Sequence, residues 1–377
     1  MFGRRIKLFK LFGFEVGIDL SWILLAVLIA WSLSVGLFPF RYQNLPTQTY
    51  WIMGIVGAIG LFFSIIFHEM FHSLVARKYG MPMKGITLFI FGGVAEMGDE
   101  PPGPRAEFMM AIVGPLSSIL IGIFFYATYL LGRRSGWSEP IYGVLQYLGT
   151  INGLLALFNL VPAFPLDGGR VLRSILWGWR RNLKWATRIS STIGRGFGVL
   201  LILLGMYQFL TGNFLGGMWW FVIGMFLHGA AKGSYQQLLI RRALEGEHVR
   251  RFMKPDAVTV RPSLSLIQLV EDYIYKYHYK MFPVVEDPDK LIGCVTTSEV
   301  KQIPREEWNR RTVGEIVNRC SPENTIGPQA DAVQALSSMN KTGSSRLMVI
   351  EGNRLMGVIT LKDMLQFLSL KVELEEV

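Results

Sequence analysis

The residues of this sequence best suited to chemistry are His68-Glu69-Met70-Phe71-His72. They follow residues 50–67, an apolar run without a charged residue that predicts a helix. Four positions apart on a helix, His68 and His72 project from one face and can bind one metal ion. Zinc is expected, because two imidazoles and one more oxygen ligand leave the fourth tetrahedral position to water. Glu69 is then the predicted general base, taking a proton from that water as it attacks a carbonyl.

The same five residues also have a simpler interpretation. A His-Glu-x-x-His match can occur by chance on an amphipathic helix whose polar side chains are only solvated. We favour the metal site, because ionisable residues next to a bilayer-length apolar segment are costly and usually functional.

A third oxygen ligand is predicted from a second stretch, residues 159–170, where Pro162 and Pro165 interrupt a helix. Membranes tolerate such breaks only where protein or water satisfies the freed backbone groups. Asp167 follows the break and is expected at the same membrane depth as the two histidines. The reason is that the helix leading to the histidines and the helix leading to Asp167 are both predicted to run inward across the membrane. The alternative is a solvated aspartate that caps the next helix.

The composition indicates a membrane protein with soluble mass attached. Of the 377 residues, 51% are hydrophobic and 18% are charged, and the mean hydropathy is +0.34; soluble domains carry about 25% charged residues. The net charge of +10 lies mostly at the ends of apolar segments, which suits cytoplasmic membrane flanks and gives no reason to expect a nucleic-acid partner. The partner expected from this pattern is the lipid bilayer.

Six apolar segments predict membrane spans. They are Leu20–Phe38, Tyr50–Val75, Phe108–Leu131, Ile141–Val161, Ser191–Leu210 and Gly216–Ala231. The first resembles a signal peptide but lacks a clear cleavage site and is interpreted as a retained span. Basic residues after the second, fourth and sixth spans predict a multi-pass protein of the cell membrane with both termini in the cytoplasm.

Residues 85–97 are too short for a spanning helix and rich in strand formers, so they predict a strand pair at the membrane surface with a turn at Gly92-Gly93. A strand edge beside a hydrolytic site could bind an extended substrate through main-chain hydrogen bonds. A packed loop without substrate contact is the alternative.

From residue 252 onward the chain is more polar and contains two similar halves. Phe282-Pro-Val-Val-Glu and Leu347-Met-Val-Ile-Glu begin the matching stretches, and Gly293 and Gly357 occupy equivalent positions. The spacing predicts tandem copies of a small α/β unit. The two cysteines of the chain, Cys294 and Cys320, lie here and are expected to be free thiols in the cytosol.

The two-part motif, His68-Glu69-x-x-His72 with Asn159-x-x-Pro162-x-x-Pro165-Leu-Asp167-Gly, resembles that of the site-2 protease family of intramembrane zinc metalloproteases. The resemblance covers essentially the whole chain. It implies cleavage of a peptide bond within or near the membrane span of another membrane protein. It also implies that His68, His72 and Asp167 bind one zinc ion, that Glu69 is the catalytic base, and that Asn159, Gly92 and Gly93 contact substrate.

Each half of the tail resembles a cystathionine-β-synthase (CBS) domain. In that family the closing Thr and Asp hold the ribose and phosphate of an adenosine nucleotide, which implies ATP, ADP or AMP at Thr360 and Asp363. Thr296 matches as well, but Glu299 replaces the aspartate in the first half. The alternative is that both motifs only begin a helix and that the pair forms a homodimer.

The predicted fold class is therefore an α-helical polytopic membrane protein with about six spans and a short membrane-surface β element, followed by an α/β tandem CBS domain. The expected domains are a metalloprotease over residues 1–245, a first CBS domain over 252–310 and a second over 311–377. Two other functions stay open: a CBS-regulated transporter or channel with His68, Glu69 and Asp167 on an ion path, and an inactive receptor for transmembrane segments. His228, His248 and His278 receive no role.

Overall fold

The structure is a computed structural model that describes residues 5–81, 83–90, 92–97, 100–286 and 290–375. The chain divides into two compact units, Met1–Gln237 and Leu238–Val377. The helices that begin in the first unit are α1 (Leu20–Ser32), α2 (Phe38–Arg41), α3 (Thr47–Lys78), α4 (Pro104–Arg134), α5 (Glu139–Asn159), α6 (Asp167–Arg180), α7 (Leu183–Leu210) and α8 (Phe214–Leu244). A π turn joins α1 to α2, and the boundary between the units falls inside α8.

Several of these helices can cross a membrane, which confirms the predicted multi-pass class. Within the described residues, five helical segments are long and apolar enough to span: Leu20–Arg41, Thr47–Lys78, Pro104–Arg134, Glu139–Asn159 and Leu183–Leu210. The fifth begins eight residues before the predicted Ser191, because the Asn182 side chain caps it by accepting a hydrogen bond from the Trp185 amide. The predicted sixth segment forms the first half of α8, a helix outside this set of five.

The surface β element is larger than the sequence predicted. Strands β1 (Arg5–Leu11), β2 (Phe14–Asp19), β3 (Met83–Phe89) and β4 (Gly92–Met97) form one sheet in the order β1-β2-β3-β4. The hairpin β1–β2 was not expected; Phe12 and Gly13 connect it with positive φ angles of 49° and 88°, as tight hairpin turns require. Strand β2 then pairs in parallel with β3.

The predicted turn at Gly92-Gly93 is wrong by a small shift. Ile90 lies in the turn, whereas Gly92 and Gly93 begin β4 and pair with Phe89 and Leu88. Within the described residues β4 pairs with β3 alone, so its outer edge is the end of the sheet. One face of the sheet, including Val16 and Leu88, packs on Ile66 and Met70 of α3. The sheet therefore lies against the helix that carries the His-Glu-x-x-His residues.

The second unit is an α/β structure with two similar halves. Its strands are β5 (Met281–Glu286), β6 (Lys290–Thr296), β7 (Asn318–Arg319), β8 (Thr325–Ile326), β9 (Arg346–Glu351) and β10 (Arg354–Thr360). Its helices are α9 (Leu266–Gln268), α10 (Tyr275–Tyr277), α11 (Thr297–Lys301), α12 (Val313–Ile316), α13 (Ala332–Thr342) and α14 (Leu361–Glu375). The hairpins β5–β6 and β9–β10 are equivalent and meet through β6 and β10.

Each half of this unit has its own apolar core. The first core contains Phe282 and Val295, and the second contains Leu347 and Ile359. Leu244, at the end of α8, and Val249 are fully buried in the second core. A fragment meant to fold as this unit therefore has to include residues that precede 252.

Candidate metal centre and active site

The two histidines and the aspartate predicted from separate parts of the sequence meet at one point. The Oδ2 atom of Asp167 lies 3.0 Å from Nε2 of His68 and 3.2 Å from Nε2 of His72, and the two Nε2 atoms are 3.1 Å apart. Both imidazoles are buried. Among the described residues, these three form a group of side chains whose ligand atoms lie close enough together to hold one metal ion.

This triangle of atoms fits a tetrahedral zinc ion. Ligands about 2 Å from a tetrahedral centre are about 3.3 Å from one another, close to the separations found here. The Nδ1 atom of His72 lies 2.5 Å from the Met110 carbonyl, which can only accept, so Nδ1 carries the proton and Nε2 presents its lone pair. Nδ1 of His68 lies 2.9 Å from Oγ of Ser118. Oriented imidazoles with a hydrogen-bonded second nitrogen are typical of metal ligands.

Helix α4 approaches the two imidazoles through Gly114. A Cβ atom placed at Gly114 would lie 2.8 Å from Nε2 of His68 and closer still to Nε2 of His72. Real Cβ atoms do not come that close, so any larger residue would displace the rings. The glycine thus lets α4 supply Met110 and Ser118 as hydrogen-bond partners of the histidines.

Asp167 is held in place by close packing at the start of α6. It is the first residue of this helix, after the segment that contains the cis peptide bond Phe164–Pro165. Cβ atoms at Gly168 or Gly169 would overlap the backbone of residues 160–164. Two glycines directly after the aspartate therefore allow the first turn of α6 to lie on the chain that precedes it, and this contact fixes the carboxylate beside the histidines.

A buried ion pair ties α6 to α4, and sequence reasoning missed it. The Arg173 guanidinium donates to Oε1 of Glu107 from Nε at 2.5 Å, its Nη2 atom also contacts this oxygen, and both residues are buried. The Arg173 guanidinium also lies over the Phe164 ring at 5.0 Å. In the sequence, Arg173 belongs to the basic stretch after the fourth predicted span. The available signal was an acid at the start of one apolar helix and a base two helices later.

The predicted general base, Glu69, lies against the start of β4. A Cβ at Gly93 would be 3.0 Å from Oε1 of Glu69, so the first residues of β4 run directly beside this carboxylate. Gly92 and Asn159 are half-buried, Gly92 at the start of β4 and Asn159 as the last residue of α5. No hydrogen bond of the Asn159 side chain occurs within the described residues.

A buried asparagine that sequence reasoning missed, Asn152, contacts the motif helix α3. Asn152 is fully buried on α5 and donates to Oγ of Ser64 at 2.9 Å. Ser64 precedes His68 by one helical turn. This contact helps to fix the relative position of α3 and α5 beside the metal centre.

In the second CBS half, the predicted nucleotide ligands form a compact polar group. The Thr360 hydroxyl donates to Oδ2 of Asp363 at 2.5 Å, and Nζ of Lys254 lies 2.9 Å from Oδ1. Partial burial raises the pKa of Asp363, but the hydrogen bonds from Thr360 and Lys254 and the charge of Lys254 outweigh it, and the net shift is downward. In the first half the amide and hydroxyl of Thr296 both donate to Oε2 of Glu299 in a capping box.

The remaining histidines are not part of the candidate metal cluster. His228 lies near the Arg195 carbonyl and His248 near the Gln329 carbonyl, while His278 ends α10 with a positive φ of 56°.

Comparison with known proteins agrees with this architecture. The sequence model of peptidase family M50 matches residues 56–135 and 134–204. The model of the CBS domain matches residues 249–305 and 313–370. The zinc metalloprotease MJ0392 of Methanocaldococcus jannaschii is 30% identical over 371 residues, 98% of each chain. Rip3 of Mycobacterium tuberculosis, also named a zinc metalloprotease, is 31% identical over 97% of this chain and 93% of its own. A solved site-2 protease of M. jannaschii is 31% identical and covers 61% of this chain and 94% of that chain, with a TM-score of 0.44.

The apolar spanning helices, the M50 family model and the two metalloprotease sequences define a membrane metalloprotease. The chain belongs to peptidase family M50, as a zinc metalloprotease of the site-2 protease type that carries two CBS domains. The prediction of family and enzyme class is thereby confirmed. Membership in a metalloprotease family also speaks against the transporter or channel that the sequence had left open.

Proposed function

We propose that this protein is an intramembrane protease, which hydrolyses a peptide bond within or near the transmembrane segment of another membrane protein. The observation that carries the proposal is the cluster formed by His68 and His72, both buried on the spanning helix α3, and by Asp167 at the start of α6. Glu69, beside His68 in the sequence, adjoins Gly93 at the start of β4. Because α3 runs from Thr47 to Lys78, the histidines lie in its second half.

The chemistry follows from these residues. Zinc held by the two Nε2 atoms and the Asp167 carboxylate would polarise a substrate carbonyl and lower the pKa of a bound water to ~7. Glu69 accepts the proton from the attacking water and can return it to the leaving amine. Met110 and Ser118 keep the imidazoles oriented throughout. The apolar surroundings restrict bulk water, which strengthens each of these electrostatic interactions.

Substrate binding is assigned to the edge of β4 and to Asn159. A substrate helix shields its amide carbonyls while they accept helical hydrogen bonds, so it must unwind locally before cleavage. The free edge of β4 can bind the unwound segment as an added strand. Since Gly93 adjoins Glu69, a strand on that edge would pass beside the general base. Asn159, the last residue of α5, is proposed to bind the substrate backbone or the scissile carbonyl.

The expected orientation places both termini and the CBS domains in the cytoplasm, because basic residues flank the spans on that side. An adenosine nucleotide is the proposed regulatory ligand of the CBS pair. Thr360 and Asp363 support it, since the carboxylate is preoriented by Thr360 and lies beside a cation, Lys254, that can contact phosphate. Assembly into a homodimer through the CBS domains is a second proposal for the same unit.

Glu69→Gln tests the catalytic assignment. The variant should keep about one zinc per chain, because Glu69 is not a ligand, while peptide cleavage falls by at least about 10³-fold, the upper part of the range for a general base. Zinc is measured by elemental analysis of detergent-purified protein, and cleavage on a reconstituted transmembrane substrate. Glu139→Gln, in the first turn of α5, is the matched control and should retain activity.

Two results would contradict this assignment. Loss of zinc in Glu69→Gln would make Glu69 a ligand, and undiminished cleavage would remove it from the reaction. Asp167→Ala should in contrast lose zinc and cleavage together.

A further inference from the structure

A cavity of about 570 Å³ lies where α3 ends, α4 begins and α6 passes. Tyr79, the residue after α3, contributes to its wall, and Pro104 and Arg105 contribute from the first turn of α4. From α6 and its end come Ile175 and Arg181. None of the three metal-ligand candidates lines this space, so it is separate from the proposed active site.

The lining combines two cations with apolar surface. Arg105 and Arg181 are exposed, and within the described residues no carboxylate lies at ion-pair distance from either guanidinium. The apolar part of the wall comes from Phe108, Met109 and Ile175. Paired guanidiniums favour phosphate, which they bind through bidentate hydrogen bonds. A ligand that matches this wall is an amphiphile with an anionic head and a hydrocarbon body.

The cavity also lies at the level where lipid headgroups are expected. Its wall includes the ends of two spanning helices, and span ends meet the membrane interface. On α6, Ile175 in the cavity wall is 56% exposed, and Trp179 next to the cavity is 73% exposed. Arg180 stacks on Trp179 and on Trp185, at 5.5 and 4.4 Å from the ring centroids. An exposed tryptophan with an adjacent arginine is typical of a membrane interface.

We propose that this cavity binds one anionic phospholipid, with its phosphate between Arg105 and Arg181 and an acyl chain along Phe108, Met109 and Ile175. Its volume is within the range of small-molecule sites, about 300–1,000 Å³, enough for a headgroup and the first part of a chain. A zwitterionic lipid fits less well, because its own cation would face two guanidiniums. The bound lipid contacts both α4 and α6, and α6 begins at Asp167.

Native mass spectrometry of the full-length, delipidated protein in detergent tests the proposal. The protein is titrated with phosphatidylglycerol, phosphatidylcholine or glycerol 3-phosphate. We expect one phosphatidylglycerol to bind preferentially, phosphatidylcholine to bind at least tenfold more weakly, and the headgroup alone not to compete at millimolar concentration. Because a ligand that binds only the folded state stabilises it, phosphatidylglycerol should also raise the Tm.

Charge and shape variants separate this site from general attraction to lipid. Arg105→Gln/Arg181→Gln should bind phosphatidylglycerol about 25-fold more weakly, since each basic residue near an anionic surface contributes about fivefold. Arg134→Gln/Arg188→Gln removes the same charge from exposed positions outside the cavity and should change binding less than twofold. Gly178→Leu keeps all charges but places a side chain in the cavity, where a Cβ at Gly178 meets only Pro104, at 3.7 Å. This variant should also abolish the preference for phosphatidylglycerol.

The proposal is overturned by any of three results. These are equal binding of the two lipids, equal loss of binding in the two double-arginine variants, or unchanged binding in Gly178→Leu. Competition by glycerol 3-phosphate at the affinity of the lipid would identify a free phosphate compound as the ligand instead. Neither peptide cleavage nor zinc enters these measurements, so the proposed protease activity is tested separately.

Discussion

Single residues decide whether the metal centre can form. Two histidines on one helix face are not sufficient, because another helix has to come close enough to orient both rings. Gly114 makes this approach possible, and Met110 and Ser118, one turn away on either side, then bind the two Nδ1 atoms. The absence of one side chain is therefore as important here as the presence of the ligands.

Gly114→Ala should weaken zinc binding and reduce activity. The new Cβ would overlap Nε2 of His68 and of His72, so at least one imidazole must turn away from the metal. We expect zinc affinity to fall at least about tenfold, the scale of a disturbed second shell, measured by zinc titration against a competing chelator.

The matched control for this change is Gly153→Ala on α5, where a Cβ meets nothing within 4 Å. It should leave zinc affinity unchanged and add slightly to helix stability. Full zinc binding and activity in Gly114→Ala would show that the rings have more room than this packing allows.

The two cysteines should differ in reactivity. Burial raises the pKa of Cys294 to about 12. Cys320 is exposed, and desolvation raises its pKa as well, but reagents can reach its thiol. At pH 8 the reactive thiolate of Cys294 is thus scarce, and more forms only as the pH rises towards 12. A thiol reagent at pH 8 should label one site per chain, and Cys320→Ser should remove that labelling; two fast sites in the folded protein would contradict this.

At the scale of elements, the third ligand depends on how α6 is attached to α4. The Glu107–Arg173 pair joins the first turn of α4 to the middle of α6, and the glycines after Asp167 hold the start of α6 on the preceding chain. The aspartate is therefore positioned by two contacts of its helix, neither of which involves the metal.

Arg173→Met should destabilise the membrane unit and weaken zinc binding, because it leaves the Glu107 carboxylate buried without its partner. Breaking a buried pair in this way costs about 3–5 kcal/mol. Glu107→Gln/Arg173→Met should recover part of this loss, since it removes the unpaired charge. The measurements are thermal unfolding in detergent and zinc content.

An exposed pair provides the comparison. Arg242 and Glu245 are 50% and 60% exposed, and Arg242→Met should change stability by no more than about 1 kcal/mol. A loss as small as this in Arg173→Met would mean that the buried pair does not hold α6 in place.

At the scale of the whole molecule, a membrane metalloprotease and a CBS unit are combined in one chain, and the CBS unit is expected to bind a regulatory nucleotide. Calorimetry on a fragment of residues 238–377 with ATP, ADP and AMP tests this. The fragment begins at Leu238, because Leu244 and Val249 belong to the second core. We expect saturable heat with at least one nucleotide.

Variants of the two halves show which of them binds. Asp363→Ala should weaken binding at least about tenfold, because it removes the carboxylate that Thr360 and Lys254 hold in place. Glu299→Ala should have less effect on affinity, since Glu299 accepts from Thr296 in a helix cap. No heat with any of the three nucleotides at millimolar concentration would restrict the function of the unit to assembly or docking.

The sequence by itself determined the features that depend on local spacing. A four-residue interval puts His68 and His72 on one helix face, long apolar runs specify spans, and a repeated pattern around Gly293 and Gly357 specifies two CBS halves. Asp167 could also be singled out, because two prolines next to an acid at the end of a span are locally unusual.

Only the tertiary structure decided the contacts between distant segments. The Nδ1 partner of His72 is 38 positions away, Arg173 is 66 positions from Glu107, and the parallel pairing of β2 with β3 joins residues 15–18 to 85–88. Nothing in local spacing encodes which helix face or strand edge comes to lie beside another. These contacts arise from packing, where one glycine or one buried charge sets the distance between elements, and the same packing leaves the cavity between α4 and α6.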